Sequence, residues 1–279
     1  MQADPESLAP ALLESDRAYF EAGAEVRPLR GASMALLRGM QSLAAGCVVH
    51  RVRPGEIGPP DQWLDELECA MRAAACTSLR IYLDERGDDA LSAALTARGA
   101  AATTEVGLVR MSCEPWAAGP VPAGYTLHAV ETVADWCAKL AFHRASLVGP
   151  DGHAAPAELW VAMERRRAEA GYLQPYLVRH DGVICGAFAL AGQGALCRLK
   201  NLVLHPGFRG RGIARHVVRL AIERASAGAA AVGCFAFAHH HALPMYRALG
   251  FMPVVSQREW VSPLPALLPD LNQMMGAGT

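Results

Sequence analysis

The chain has 279 residues, of which 52% are hydrophobic and 19% are charged, and its formal net charge is −1. This length allows two domains of ordinary size, and the near-neutral charge gives no general attraction for nucleic acid or an anionic membrane. The longest uncharged apolar run, Ala225 to Ala238, is too short and too interrupted by glycine to predict a membrane span. The acidic, polar start MQADPESLAP does not have the pattern of a signal peptide.

The cysteines are scattered without CxxC spacing, and several lie inside apolar segments. This pattern predicts reduced, buried thiols and therefore a cytoplasmic protein. Cys197 and Cys234 flank the segment that carries the functional signals, so a nucleophilic cysteine stays open as an alternative. The eight positions are Cys47, Cys69, Cys76, Cys113, Cys137, Cys185, Cys197 and Cys234.

The first part of the chain alternates between helix and strand patterns. One helix, Asp61 to Ala75, has an apolar stripe that includes Trp63, Leu64 and Leu67, and Pro59-Pro60 gives it a clear start. The other predicted elements are a helix around Leu12 to Glu21, paired strands at Ala32 to Met40 and Ala44 to Val52, a strand at Ser78 to Leu83, a helix at Asp88 to Arg98 and a strand at Ala102 to Met111.

A proline-rich segment, Ser112 to Gly124, is typical of a linker. It predicts a boundary near Trp116 and two domains, 1–116 and 117–279.

The tail from Pro263 to Thr279, with its prolines and small residues, predicts disorder or a loosely docked arm. Between linker and tail, the predicted elements are strands at Tyr125 to Val130, Tyr172 to Val178, Val183 to Ala191, Leu196 to Leu204, Val232 to Ala238 and Glu259 to Ser262, and helices at Thr132 to Arg144, Pro156 to Ala170 and Ala242 to Leu249.

The strongest functional signal is Asn201 to Ala225, which has the pattern of a strand, a glycine-rich turn and an amphipathic helix that begins near Gly212. Free backbone N–H groups at such a helix start, together with the helix dipole, favour an anion. Gly210 and Gly212 let a phosphate approach the backbone closely, and nearby arginines add cationic donors. The sequence does not match a Walker loop or a dinucleotide fingerprint, because Ile213-Ala214 follows the last glycine and Arg215 replaces a third glycine.

Two motifs resemble those of the GCN5-related N-acetyltransferase (GNAT) family. Arg209-x-x-Gly212-x-Ala214 is similar to the pyrophosphate-binding motif of the family. The segment AxxMYRALGF, from Ala242 to Phe251, looks like the later helix in which a tyrosine, here Tyr246, faces the thioester. The resemblance covers roughly Gly124 to Pro263, and the two motifs together are far more specific than either alone.

The resemblance implies an α/β (α+β) GNAT fold with a mixed, mostly antiparallel sheet flanked by helices. It also implies acetyl-CoA as co-substrate, held by the turn and by the adjacent strand backbone where two strands splay apart. Tyr246 would protonate the leaving thiolate. The cofactor-binding residues implied by the resemblance are Leu202, Val203, Leu204, Arg209, Gly210, Arg211, Gly212, Ile213, Ala214 and Arg215.

The general base is unresolved. Many relatives place a glutamate on the fourth strand, where this chain has Arg198, Lys200 and Asn201. His239 stands where relatives often carry asparagine, and histidine has a suitable pKa, so His239 is the candidate base. Three adjacent histidines are one feature of metal sites, but no carboxylate or cysteine lies at ligand spacing. No metal site is therefore predicted. In the family a helix pair borders the acceptor pocket, where the candidates to shape the substrate are Trp136, His143, Asp151, His153 and Trp160.

The first part of the chain repeats the order of the second. The segment from Val52 aligns with the one from Leu204, and the segment from Ala94 with the one from Met245. Pro59 and Pro60 then stand where the second copy has Arg211 and Gly212, and proline lacks the N–H that a phosphate needs. Leu95 falls opposite Tyr246. The sequence predicts two tandem GNAT-like domains with a degenerate first copy, although two ordinary strand-helix-strand units could also look alike by chance.

The leading interpretation is an N-acetyltransferase that moves acetyl from acetyl-CoA to a primary amine of a small molecule or peptide. One alternative keeps the fold and uses another acyl thioester or an aminoacyl-tRNA, which the near-neutral charge disfavours. Another is a non-catalytic CoA-binding regulatory protein. A small-molecule or peptide acceptor is the expected partner, without nucleic acid or membrane. The oligomeric state stays open, with a homodimer as one alternative.

Overall fold

The structure of the chain is a computed structural model, which describes residues 4–84, 89–114, 121–146, 157–192 and 194–263. The predicted boundary at Trp116, the residues Asp151 and His153, and the predicted tail beyond Pro263 lie outside these ranges. Within the described residues, every helix is too short or too polar to cross a lipid bilayer.

Residues 4–111, called the first half below, confirm the predicted alternation of helices and strands. The two strands predicted around residues 32–52 pair with each other and are shorter than expected. A strand before them was not predicted, because Pro28 and charged residues mask its pattern. The elements are α1 Ala9–Glu21, β1 Glu25–Leu29, β2 Ala32–Leu36, β3 Cys47–His50, α2 Pro54–Ile57, α3 Pro60–Ala73, β4 Ser78–Asp84, α4 Asp89–Ala97 and β5 Ala101–Met111.

Residues 121–263, the second half, follow the predicted order closely. The helix expected near Gly212 begins at Ile213, with Gly212 as its N-cap residue. The elements are β6 Tyr125–Ala129, α5 Val133–Ser146, α6 Ala157–Glu169, β7 Leu173–His180, β8 Val183–Ala191, β9 Gly194–Leu204, α7 Ile213–Ser226, β10 Ala229–Phe237, α8 Leu243–Ala248 and β11 Met252–Pro263.

All strands join one sheet in the order β1-β2-β3-β4-β11-β5-β10-β9-β8-β7-β6. Apart from β6, the order is symmetric about the β11–β5 pair, because β1 to β4 of the first half mirror β7 to β10 of the second. In each half one pair is parallel, β3 with β4 and β9 with β10, and the other strand pairs are antiparallel. The predicted mixed, mostly antiparallel sheet is confirmed, and the two halves share one internal order except for the additional edge strand β6.

The last strand of each half is exchanged at the centre of the sheet. β11 lies between β4 and β5, where Trp260 pairs with Ile81, and β5 lies between β11 and β10. The strand predicted at Glu259 to Ser262 therefore exists, but the expectation that it closes the second half's own sheet is wrong. Strand pairing between distant segments is set by tertiary packing, which strand patterns in the sequence do not encode.

Helix α1 packs across the junction between the halves. Leu12 is fully buried and belongs to one apolar cluster with Val109 of β5 and Ala231 of β10. Two glycines make room for this close approach, since an added Cβ would lie 2.9 Å from a Leu12 side-chain carbon at Gly107 and 2.7 Å at Gly233. The first half therefore supplies a helix that covers strands of both halves.

Candidate active site

Strands β9 and β10 separate partway along their length. Their parallel pairing runs from Gly194 and Ala229 to Arg198 and Gly233. Past that point β9 continues to Leu204 and β10 to Phe237, and the described residues include no further pairs between them. The opening, called the β9–β10 gap below, leaves one backbone edge of β9 without a strand partner in the described part of the chain.

A bulge in β9 lies at the start of the gap. The register between β8 and β9 shifts between Ala187 and Ala189, and Asn201 has a positive φ of 54°. This conformation is uncommon for a residue other than glycine and needs support from its surroundings. The support comes from the Asn201 side chain, whose Nδ2 donates to Glu164 Oε1 over 2.7 Å. Glu164 in turn pairs with the fully buried Lys139 at 2.9 Å.

The glycine turn, residues 205–212, connects β9 to α7 at the open end of the gap. Gly210 and Gly212 have positive φ values of 74° and 75°, and a Cβ at either position would meet no described atom within 4 Å. Among the side chains that the structure describes, none caps α7, so the N–H groups of its first turn, starting at Ile213, are available to a ligand. The predicted contacts Arg211 and Arg215 are both exposed beside this turn.

Arg209 has a structural role in addition to its charge. Its Nε donates to the carbonyl of Leu204 at 3.2 Å, and its Nη2 donates to the carbonyl of Ser146 at 3.0 Å. These bonds tie the glycine turn to the end of β9 and to the end of α5. The guanidinium thus places its positive charge beside the turn while it fixes the turn's position.

A cavity of about 450 Å³ lies where the two halves meet, and it is called the interhalf cavity below. It includes Tyr246 and both strands at the gap, so the sequence-predicted acid shares a chamber with the splayed backbone. It is lined in part by side chains of the first half. Its lining includes Leu199, Lys200, Asn201, Leu202, Cys234, Phe237, Trp160, Tyr19, Phe20, Tyr82, Glu105 and Glu259.

Tyr246 lies on α8 and is 7% exposed. Its ring makes an edge-to-face contact with Phe251 at 5.5 Å between ring centroids. Burial raises the pKa of the Tyr246 phenol well above its usual value, and the nearby Cys234 adds to the shift. The phenol is therefore protonated at neutral pH, and the role of Tyr246 as the acid stays a prediction.

A buried ionic cluster links α1 to β9. Asp16 of α1 pairs with Arg198, contacts Lys200 Nζ at 3.4 Å and accepts from Gln257 Nε2 at 2.7 Å. Burial alone would raise the pKa of Asp16, but the two cations and Gln257 together lower it. Asp16 stays ionised and neutralises the basic residues that β9 carries at the base of the gap.

Two glutamates of the interhalf cavity differ in their partners. Glu259 accepts from the Tyr82 hydroxyl at 3.0 Å and pairs with Arg80 at 2.9 Å. Glu105 accepts from Gln257 Nε2 at 2.8 Å, and burial together with the negative charge of Asp16 raises the pKa of Glu105 to about 7. Sequence reasoning missed Glu105, since a single glutamate after AATT in a strand gives no sign of its cavity.

His239, the sequence-predicted base, is exposed and stacks on Phe237 at 5.8 Å between ring centroids. It does not belong to the cavity lining, whereas the neighbouring His240 does. His240 Nδ1 accepts from the backbone N–H of Ala242 at 3.1 Å. Burial lowers the pKa of His240, as do the adjacent histidines. Among the described residues, no group of three or more potential ligands is arranged to hold a metal.

Other residues singled out by sequence are divided between the cavity and the core. Trp160 lines the interhalf cavity, while Trp136 and His143 are buried in α5.

Burial raises the pKa of Cys197 to about 11 and that of Cys234 to about 12. Both thiols are therefore protonated at neutral pH, which argues against a nucleophilic role.

The first half has a glycine of positive φ at the aligned turn but lacks the donors that follow it in the second half. Gly58, which aligns with Gly210, has a similar φ of 72°, but the helix that follows is capped by Pro59 and begins at Pro60. The neighbouring opening is lined by Glu56 and Asp84 and also by Arg53, which pairs with Glu56 at 3.0 Å. Leu95 is buried in the first half's core.

Residues 149–251 match the model of the Acetyltransferase (GNAT) family. A GCN5-related N-acetyltransferase from Kribbella flavida is similar in structure, with a TM-score of 0.65, 16% identity, and coverage of 92% of this chain and 96% of that one. A GCN5-related N-acetyltransferase from Sphaerobacter thermophilus has a TM-score of 0.59 and 17% identity, and the match covers 84% of this chain and 77% of that one. A tandem GNAT protein from the clavulanic acid biosynthesis pathway is similar with a TM-score of 0.55 and 19% identity, and the match covers 84% of this chain and 78% of that one.

At these identities the structural likeness shows the fold, and it extends over most of the chain. A search of curated proteins finds no match.

Proposed function

We propose that this chain, whose residues 149–251 form a domain of the GNAT acetyltransferase family, transfers an acetyl group from acetyl-CoA to a primary amine. The family match supports acyl transfer in general, and the acetyl donor and the amine acceptor are the proposal. The observation that carries it is the β9–β10 gap, which has the glycine turn at its open end and Tyr246 beside it.

The glycine turn fits the pyrophosphate of coenzyme A. Open space above Gly210 and Gly212 and free N–H groups at the start of α7 suit an anion, with Arg209, Arg211 and Arg215 as cations. The unpaired edge of β9 offers backbone groups to the amides of an extended arm. We assign this binding to the predicted set Leu202, Val203, Leu204, Arg209, Gly210, Arg211, Gly212, Ile213, Ala214 and Arg215.

Acetyl-CoA, when bound, supplies an activated thioester. Tyr246 holds a proton on its hydroxyl oxygen, because burial keeps the phenol neutral. We assign to it the donation of that proton to the leaving sulfur. The backbone N–H groups next to the Asn201 bulge are the donors that we assign to the thioester carbonyl oxygen, since the bulge turns the strand at this point.

The interhalf cavity supports a small acceptor. Its volume of about 450 Å³ is within the usual range for small-molecule sites, and aromatic side chains such as Tyr19, Phe20 and Trp160 line it. Glu259 is paired with Arg80, whereas Glu105 is in no ion pair among the described residues and offers a carboxylate to the amine of the acceptor. The cysteines are all free thiols, which supports a cytoplasmic location.

Two measurements on the full chain test this function. Calorimetry with CoA should detect binding, and acetyl-CoA should release free thiol when a panel of tyramine, spermidine, glucosamine and a short peptide is supplied. Mass spectrometry of the amine should then show one added acetyl group. CoA binding without thiol release would favour the non-catalytic interpretation, and absence of CoA binding would overturn the proposal.

A further inference from the structure

We infer that Glu105, on a strand that the first half contributes, is the catalytic base that accepts a proton from the acceptor amine. The inference rests on the proposed function and supplies a residue that the sequence could not. The fourth strand of this domain, β9, carries Arg198, Lys200 and Asn201 in place of the glutamate that the motif resemblance leads one to expect.

The strand exchange brings Glu105 to the site. β5 lies directly beside β10, and Glu105 pairs in register with Phe237 at the end of β10 and with Gln257 of β11. Glu105 lines the interhalf cavity, as do Tyr246 and the β9 residues at the gap. A carboxylate from the first half thus shares one cavity with the acid of the second half.

The two groups approach this cavity from different sides of the sheet. Tyr246 packs in the cluster that includes Val217 and Ile222 of α7. Glu105 shares the Gln257 amide with Asp16 of α1, which lies over the centre of the sheet. An acceptor that enters from the α1 side would meet Glu105, while the leaving sulfur would meet Tyr246. A base and an acid need this separation to act on opposite partners of the reaction.

Glu105 is available to accept a proton. None of the ion pairs between described residues includes Glu105, whereas Asp16 pairs with Arg198 and Glu259 pairs with Arg80. The hydrogen bond from Gln257 Nε2, 2.8 Å to Oε2, orients the carboxylate and leaves its other oxygen for a substrate. Glu105 is also partly exposed, so an acceptor can reach it.

The charges around Glu105 come from four elements. Asp16 on α1 and Glu259 on β11 raise the pKa of its carboxyl in addition to burial, which is the largest cause, while Lys200 on β9 and the Gln257 hydrogen bond lower it. Arg80 and Tyr82 on β4 are bound to Glu259. The resulting pKa of Glu105, about 7, is near the value at which a general base is most effective at neutral pH.

The chemistry balances with these two groups. Glu105 takes one proton from the ammonium of the acceptor, and the neutral nitrogen forms a bond to the thioester carbon. The C–S bond then breaks with its electron pair on sulfur, which takes the Tyr246 proton. The nitrogen loses its second proton to the tyrosinate through solvent, and Glu105 releases its proton to water. The net products are an amide, a thiol and one proton.

The test is Glu105→Gln, with Glu169→Gln on the exposed end of α6 as a matched control. Thiol release from acetyl-CoA is followed against pH, with tyramine, with spermidine and with water as the only acceptor. In the unaltered protein the rate should rise with pH through about 7, because the base must be ionised. Glu105→Gln should lower kcat by about 100 to 10,000-fold and remove this rise, with CoA affinity unchanged. Glu169→Gln should keep both the kcat and the rise of the rate with pH.

Two further variants separate the outcomes. Glu105→Asp retains the carboxylate and should recover part of the rate and the pH dependence, which a structural role would not explain. An unchanged rate and profile in Glu105→Gln would overturn the inference, and loss of both in His239→Gln would move the base to His239. CoA binding without any thiol release from the unaltered protein would overturn both the base and the transfer. Absence of CoA binding would instead overturn the proposed function.

Discussion

The two halves of this protein differ at the turns that precede their aligned helices, α3 and α7. In the second half Gly210 and Gly212 precede α7 and leave its first N–H groups open. In the first half Gly58 has a positive φ like Gly210, but its ψ of −150° lies outside the left-handed helical region, and Pro59 and Pro60 remove the donors that follow it. The comparison shows that a glycine of positive φ before a helix is not enough for an anion site, because the N–H groups that follow it must also be present.

The first half has instead become part of the second half's site. It supplies α1, whose Asp16 neutralises basic residues on β9, and β5, which carries Glu105 to the interhalf cavity. Tyr19 of α1 also lies against Asn201, with its hydroxyl 3.3 Å from Nδ2. The first half therefore contributes walls and charges to a cavity whose proposed cofactor-binding turn belongs to the second half.

The largest expected effect is that of Tyr246→Phe. The Tyr246 hydroxyl has no counterpart in the first half, because Leu95 occupies the aligned position. Loss of the hydroxyl should lower kcat by about 100 to 10,000-fold, since it removes one proton transfer from the transition state. CoA affinity should barely change, because the ring remains. Steady-state kinetics of thiol release test this prediction, with Tyr125→Phe as the control. A kcat like that of the unaltered protein, where chemistry limits the rate, would show that the hydroxyl is structural.

The next effect concerns the contact between the halves. Asp16→Asn leaves Arg198 and Lys200 without their buried counter-charge, and breaking a buried ion pair costs about 3 to 5 kcal/mol. Urea unfolding should show a loss of this size in the free energy of unfolding. Glu14→Gln, on the exposed face of the same helix, breaks only surface pairs and should cost less than about 1 kcal/mol. Similar losses in both variants would contradict the role given to Asp16.

The third effect separates the two turns directly. Gly212→Glu places a negative side chain in the space proposed for the pyrophosphate. Losing two hydrogen bonds to a charged group, at about 1.5 to 3 kcal/mol each, predicts a loss of CoA affinity of at least about 100-fold. Calorimetry measures it. Gly182→Glu is the matched control, because Gly182 also has a positive φ and open space, but lies in the β7–β8 turn.

The same titration counts the sites. One CoA per chain is expected in the unaltered protein, since Pro60 removes an N–H that the first half would need. A second CoA per chain would show that the first copy still binds, and unchanged affinity in Gly212→Glu would place the ligand elsewhere.

The sequence was enough to predict the order of the elements and the start of α7, because apolar periodicity, Gly212 and the prolines before α3 are local signals. It was not enough to predict that β5 and β11 change places, since strand neighbours depend on contacts between distant segments. Glu105 was missed for the same reason. A signal for the Asp16 cluster did exist, because Arg198 and Lys200 alternate within an otherwise apolar strand and require a buried acidic partner.

The smallest effect concerns acid sensitivity, to which each half contributes one buried histidine. His50 in β3 and His143 in α5 are 1% and 4% exposed, and their ring nitrogens have no hydrogen-bond partner among the described residues. Burial lowers the pKa of both to about 4, with an opposing effect of Glu21 at His50 and an added effect of Lys139 at His143. Both rings are therefore neutral in the folded protein at pH 7.

The sign of the effect follows from proton binding. Between about pH 6.5 and pH 4 the unfolded chain binds more protons at these two positions than the folded protein does, so stability falls as the pH falls, by up to about 1.4 kcal/mol per pH unit for each histidine. Glu105 acts in the opposite direction. Its pKa is raised from 4.5 to about 7, so the folded protein binds the extra proton in that window and gains stability as the pH falls. The total curve of the unaltered protein mixes these effects.

Single variants isolate each histidine from the rest. The difference in free energy of unfolding between the unaltered protein and His143→Gln should decrease by about 2 kcal/mol from pH 6.5 to pH 5, because only the unaltered protein loses stability through this ring. His50→Gln should behave in the same way and report on the first half. Val183→Ala changes an exposed side chain without a titratable group, so its difference should be the same at both pH values. If the difference in free energy of unfolding for His50→Gln or His143→Gln does not depend on pH, the ring can be protonated in the folded protein as easily as in the unfolded chain, and the prediction is wrong.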